Sequence, residues 1–152
     1  RQLIVEKILI DPLQRFVVDR FSEATVRVVG FKYDNEKDYV LLVTDQKYAS
    51  GKNIGIFINK PNMDGDRVLR DLISVLKNGE SAVIRIWLTK RANNNHTTWR
   101  DYPYTFSVSS EESGLRILDT IPEYKPYPVP KNYSGDSGIT QTRIDDFSQR
   151  KR

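Results

Sequence analysis

The chain has 152 residues, a formal charge of +4, 38% apolar residues and 29% charged ones. That is enough for one domain with extensions, while no apolar run approaches the roughly 18 residues of a membrane-spanning helix. Cysteine is absent and there is one histidine, His96, which excludes disulfides, thiolate zinc sites, cysteine nucleophiles and multi-histidine metal centres.

The N-terminal run RQLIVEKILIDP carries charges inside its apolar stretch, unlike a signal peptide. Residues 3–10 are predicted as a β-rich segment, and residues 16–19 as a second short strand after the Asp11-Pro12 break. Residues 24–31, ATVRVVGF, are β-branched and predict a strand. The polar run at 33–38 predicts a turn. Residues 39–44, YVLLVT, are apolar on both faces, as in a central strand. A second turn at 49–53 leads into residues 54–59, IGIFIN, which alternate strictly.

A helix is predicted over about 66–78. Val68, Leu69, Leu72, Ile73, Val75 and Leu76 form one apolar stripe at a period of 3.6. Asp64 or Asp66 can cap its start, Lys77 suits the dipole of its last turn, and Gly79 suits the left-handed position after its end. Residues 81–89, SAVIRIWLT, predict the next strand, residues 90–101 a long polar loop, residues 102–109 a further strand, and residues 115–118 a short one. From Ile121 the composition changes: residues 122–130 hold four of the seven prolines. Such a segment buries too little apolar surface to offset chain entropy, so it reads as a linker or disordered tail.

Between about 24 and 109 the order is strand, strand, strand, helix, strand, strand. This order resembles the OB-fold, a five-stranded Greek-key barrel with its helix between strands 3 and 4. The fold class implied is mainly β, with residues 1–20 as an N-terminal extension or extra strand, 21–120 as the barrel and 121–152 as a Pro-rich irregular tail. The departure at residues 1–20 leaves open a different barrel or an α+β sheet. In OB-folds, strands 2 and 3 and the loops L12 and L45 form the usual ligand face.

Alternation sorts the strand faces. Ile54, Ile56 and Ile58 are expected inside, with Gly55, Phe57 and Asn59 outside. Ala82, Ile84, Ile86 and Leu88 are expected inside, with Val83, Arg85, Trp87 and Thr89 outside. An outward Phe57 beside a glycine offers a ring face to a base, and Arg85 beside Trp87 pairs a cation with a large ring, as single-strand binders do. The alternative is that the N-terminal segment or the tail covers Phe57 and Trp87. Under the OB-fold resemblance the 90–101 loop is L45. There Lys90, Arg91 and Arg100 would neutralise phosphates, Trp99 would stack on a base, and three consecutive asparagines would bond base edges. The alternative is an ordinary hairpin loop. The strand 2–3 turn adds Lys47, Tyr48 and Lys52, and Lys60 follows strand 3.

Other motifs carry less. His96 reads as solvated. Asp64-Gly65-Asp66 lacks the downstream glutamate of a Ca²⁺ loop, although a carboxylate Mg²⁺ or Ca²⁺ site is not excluded by composition. Asp45-Gln46-Lys47 matches the acidic-x-Lys end of restriction-type nuclease motifs, without a convincing partner carboxylate before it. No P-loop, dinucleotide fingerprint or nucleophile elbow is present. Ile144-Asp145-Asp146-Phe147 resembles the acidic-aromatic tips of bacterial single-strand-binding proteins, but the basic SQRKR follows it. The expectation is a non-catalytic, intracellular (cytoplasmic or nuclear) binder of single-stranded DNA or RNA, with no cofactor, metal or membrane contact. The alternative is a protein-interaction module that uses the barrel surface and residues 121–152.

Overall fold

The computed structural model of the chain describes residues 8–16 and 20–121. The segments predicted at 3–7 and 17–19, and the tail from 122 onward with its acidic-aromatic motif, lie outside the described residues. Among the described residues six strands and one α-helix follow in order: β1 (Phe21–Asp34), β2 (Tyr39–Lys47), β3 (Asn53–Asn59), α1 (Arg67–Lys77), β4 (Ser81–Ala92), β5 (Tyr104–Ser109) and β6 (Arg116–Ile121). Neighbours run β1-β2-β3-β5-β4, and β4 returns to β1, so five strands close into a barrel, with β6 added on β4. β3 and β5 are parallel and the other pairs antiparallel. This is the five-stranded OB-like barrel with one helix between β3 and β4.

Closure rests on β1. Its first half, from Phe21 to Val28, pairs with β4, and its second half, from Val28 to Asp34, pairs with β2. The register slips between Val28 and Gly30. An extra residue there bends and twists the strand, which lets one strand serve two neighbours that diverge. Alternation puts the expected rows inside, while Gly55, Val83 and Thr89, expected outside, are buried although they are not part of the barrel core. Val26, Val28, Val40, Leu42, Ile54, Ile56, Ile58, Ile84, Ile86, Leu88 and Phe106 fill the interior.

α1 adds Leu69, Leu72, Ile73 and Leu76 to this core. Asp66 is its cap and accepts from the Leu69 N–H at 3.0 Å. Gly79, at φ +82°, ends it: its N–H donates to the Leu76 carbonyl and that of Glu80 to the Val75 carbonyl, the paired bonds of a left-handed stop.

Three expectations need correction. First, residues 8–10 are irregular, and Leu13–Arg15 is a short 3₁₀ turn. Its Leu13 is fully buried in the core, so this part of the extension completes the barrel. Gln46 braces it, accepting from the Leu13 N–H at 2.9 Å and donating to the Asp11 carbonyl at 2.6 Å. Because α1 precedes β4 and the Leu13 turn meets its far end through Lys90, the two close opposite ends. Second, β4 runs through Ala92, so the polar loop starts later than its composition suggested. Third, β1 begins at Phe21 and ends at Asp34, longer at both ends than the β-branched run.

Leu13→Ala should lower unfolding free energy by about 2–5 kcal/mol, the usual cost of a cavity at a buried leucine. Urea denaturation reads this directly. A change under about 0.5 kcal/mol would mean the turn is an appendage.

Candidate functional site

The outward faces of β1, β2 and β3 carry a shallow groove lined by Lys32, Tyr39, Leu41, Gly55 and Phe57, with Tyr48, Asn53, Asn93, Thr98, Tyr102 and Thr105 at the side of L45 and of the β2–β3 turn, L23 (residues 48–52). Its volume is about 200 Å³, below the roughly 300–1,000 Å³ of enclosed small-molecule sites. An open groove of this kind suits an extended ligand better than a compact one. Register explains who lines it: Lys32 lies across from Leu41 and Leu41 across from Phe57, while Gly30, Val43 and Gly55 form the next outward row.

Phe57 is half-buried and meets Tyr39 edge-to-face, with ring centroids 5.1 Å apart at 76°. The place above Gly55 is taken: a β-carbon there would fall 2.6 Å from a Leu41 methyl. The glycine therefore makes room for Leu41 rather than for a base.

L45 is a built wall. The Asn93 amide donates to the Thr98 hydroxyl at 3.0 Å and the Tyr102 carbonyl at 2.8 Å. The Asn95 carboxamide oxygen accepts from the Thr97 N–H and hydroxyl at 2.9 and 2.7 Å. Two of the three asparagines thus hold the loop together instead of facing a ligand, and Asn94 is exposed. Ser50 of the β2–β3 turn donates to the Asp101 carbonyl at 3.0 Å, tying the two loops.

Tyr48 is 6% exposed, its hydroxyl donates to the Tyr104 carbonyl at 3.1 Å, and its ring lies 5.4 Å from that of Tyr102 and 5.2 Å from that of Tyr104. It is the anchor of this loop base, not a stacking platform. Burial first, then Tyr104 and Tyr102, push its phenol well above the ordinary tyrosine range.

The predicted site residues separate into groups. Phe57 lines the groove, Lys47, Lys52 and Arg91 lie beside its lining residues Asn53, Tyr102 and Thr105, and Trp99 and Arg100 follow the lining residue Thr98 on L45 without lining the groove themselves. Lys47 donates to Asn53 Oδ1 at 3.3 Å, and Lys52 lies 4.0 Å from Asp101 and 5.6 Å from the Tyr102 ring centre. Arg91 is exposed across from Thr105. Trp99 is 49% exposed on the outer turn of L45, with Arg100 5.4 Å from its ring centre. Lys60 is exposed at the opposite, L12 end, its N–H on the Asp38 carbonyl.

Lys90 is not available. The alternation of β4 continues one step further and turns it inward, where it is 7% exposed, donates to the Gln14 carbonyl at 2.6 Å and sits 4.1 Å from the Tyr104 ring centre. Burial lowers its pKa. Arg85 and Trp87 are also not brought to the groove. They lie where β4 pairs with the first half of β1, with Arg85 Nε on the Thr25 hydroxyl at 3.3 Å and Trp87 across from Glu23 and against Gly114. Trp87 stays 43% exposed there.

Of the other motifs, Asp45 pairs with Arg27 at 3.5 Å and Gln46 braces the Leu13 turn. No group of three or more carboxylates or histidines among the described residues could hold a metal ion. No described helix is long and apolar enough to cross a membrane. Comparison with known proteins finds no protein family, curated protein or solved structure that matches this chain.

Lys32, Tyr39, Leu41 and Tyr102 were missed in sequence. The signal for Tyr39 and Leu41 was present: a strand apolar on both faces within a small barrel has one of those faces outside.

Tyr48→Phe should cost about 1 kcal/mol at neutral pH through the lost hydrogen bond. It should also make the alkaline loss of stability shallower. The unfolded phenol ionises near pH 10 while the folded one stays protonated, so Tyr48 contributes stability below about pH 10 that is lost as pH rises further. Urea unfolding of both proteins between pH 8 and 11 measures this, and parallel curves would refute the placement of the phenol.

Proposed function

We propose that the chain binds single-stranded DNA or RNA without catalysis, using the groove across β2 and β3. The observation that carries this is the coincidence of an aromatic floor with a cationic rim. Tyr39 and Phe57 form the floor, and Lys47, Lys52, Arg91 and Arg100 stand at the L23–L45 side against one carboxylate, Asp101. Every base offers a π-face to stack on such rings, and cations track the phosphates. Discrimination between bases is weak in this account, because two of the three asparagines that would read base edges, Asn93 and Asn95, are used inside L45.

A second reading, that of a protein-interaction module, draws on a different surface. Phe21 and Trp87 are 55% and 43% exposed on the β1–β4 face, away from the groove. Trp87 therefore discriminates the two.

Titration of the full chain with fluorescently labelled oligo-dT at several salt concentrations tests the proposal. Trp99→Ala and Phe57→Ala should each weaken binding by about 1–3 kcal/mol if the rings stack, and Trp87→Ala should not. With up to four phosphates neutralised, log affinity should fall against log salt with a slope near −3, from about −0.7 per phosphate. Absence of binding at low salt, or loss through Trp87 alone, would defeat it.

A further inference from the structure

We propose that the groove takes the end of a strand, with the terminal nucleoside on the Tyr39–Phe57 pair and no phosphate beyond it. This rests on the reading of the groove as a single-stranded nucleic-acid site. It follows from an asymmetry of charge along the groove. The L23–L45 side holds Lys47, Lys52, Arg91 and Arg100 against Asp101. The L12 side holds Asp34, Glu36 and Asp38 against Lys37 and Lys60, with Lys32 in the groove lining just before Asp34, so it carries no net positive charge.

Asp34 is the closest of these to the floor. It lies directly across from Tyr39 and two residues beyond Lys32 on the same outward face of β1. Its Oδ1 accepts from the Lys37 N–H at 2.9 Å, which leaves Oδ2 as the oxygen with capacity for a ligand. The turn at 35–38 is too short to form a wall, and Glu36 and Asp38 are exposed on it. A polyanion entering from the cationic side would thus meet carboxylates just past the second ring. A further phosphate there is repelled, whereas a sugar hydroxyl can donate to Asp34. The groove accepts a continuous strand poorly for the same reason.

Competition against a labelled dT oligomer of about 12 nucleotides, within the usual site-size range of one such barrel, tests this. The competitors are the same oligomer with two hydroxyl ends, with a 3′-phosphate, with a 5′-phosphate, and a circular single strand. The circle should compete at least about fivefold more weakly per site, and one of the two phosphates should weaken binding by a similar factor, the scale of one like-charge contact in a wet site. Asp34→Asn keeps the acceptor for Lys37 and should narrow that gap; Glu36→Gln with Asp38→Asn, both tolerated in the turn, should narrow it further.

Equal competition by circle, phosphate-ended and hydroxyl-ended strands would overturn end recognition while leaving the groove as a nucleic-acid site. A phosphate penalty that Asp34→Asn leaves intact would overturn the role of this turn. If no competitor binds at all, the functional reading of the groove falls as well.

Discussion

One strand holds the molecule closed. β1 spends half its length on β4 and half on β2, and the slip between Val28 and Gly30 is where it changes partner. Without that bend the sheet would have two open edges and the aliphatic residues now inside would lack a common interior. Closure also creates the outside. Once Val26, Val28, Leu42, Ile56 and Ile84 are turned in, the intervening residues of β1, β2 and β3 face out in rows, and those rows are the floor of the groove.

The groove gets its wall from an aromatic extension of the same core. Phe16, Phe106, Tyr104, Tyr48 and Tyr102 form a chain of ring contacts from the Leu13 turn at the barrel end to the base of L45. Lys90 closes that end by bonding the Gln14 carbonyl above the Tyr104 ring. The position of L45 is therefore tied to the packing of the N-terminal turn. A loop so braced holds Asn93, Thr98 and Tyr102 at the groove without the entropic cost of ordering them on binding.

Much of the fold could be read from periodicity. The helix was clear because Asp66, the stripe from Leu69 to Leu76 and Gly79 all agree on one element. The alternation of 54–59 and 81–89 found the inward rows, but Gly55, Val83 and Thr89, read as surface, are buried. What periodicity does not encode is which outward faces adjoin. Phe57 and Trp87 look alike in sequence, each outward beside an inward isoleucine, yet barrel closure puts one in the groove and the other on the β1–β4 face. Lys90 was misjudged because a polar composition concealed a strand that continues past Thr89. Tyr48 looked like a solvated turn residue because its partners, Tyr102 and Tyr104, are more than fifty positions away in the chain.

The central claim is that ligand contact falls on the β2–β3 face and on L45. Mapping backbone amide shifts by NMR during titration with unlabelled oligo-dT tests it most directly. The account predicts that the largest perturbations fall at Lys32, Tyr39, Phe57 and Thr98 to Tyr102, with Trp87 and Glu23 unmoved. Perturbations concentrated on Phe21, Glu23, Trp87 and Arg116 would contradict it and place the working surface on the opposite side of β1.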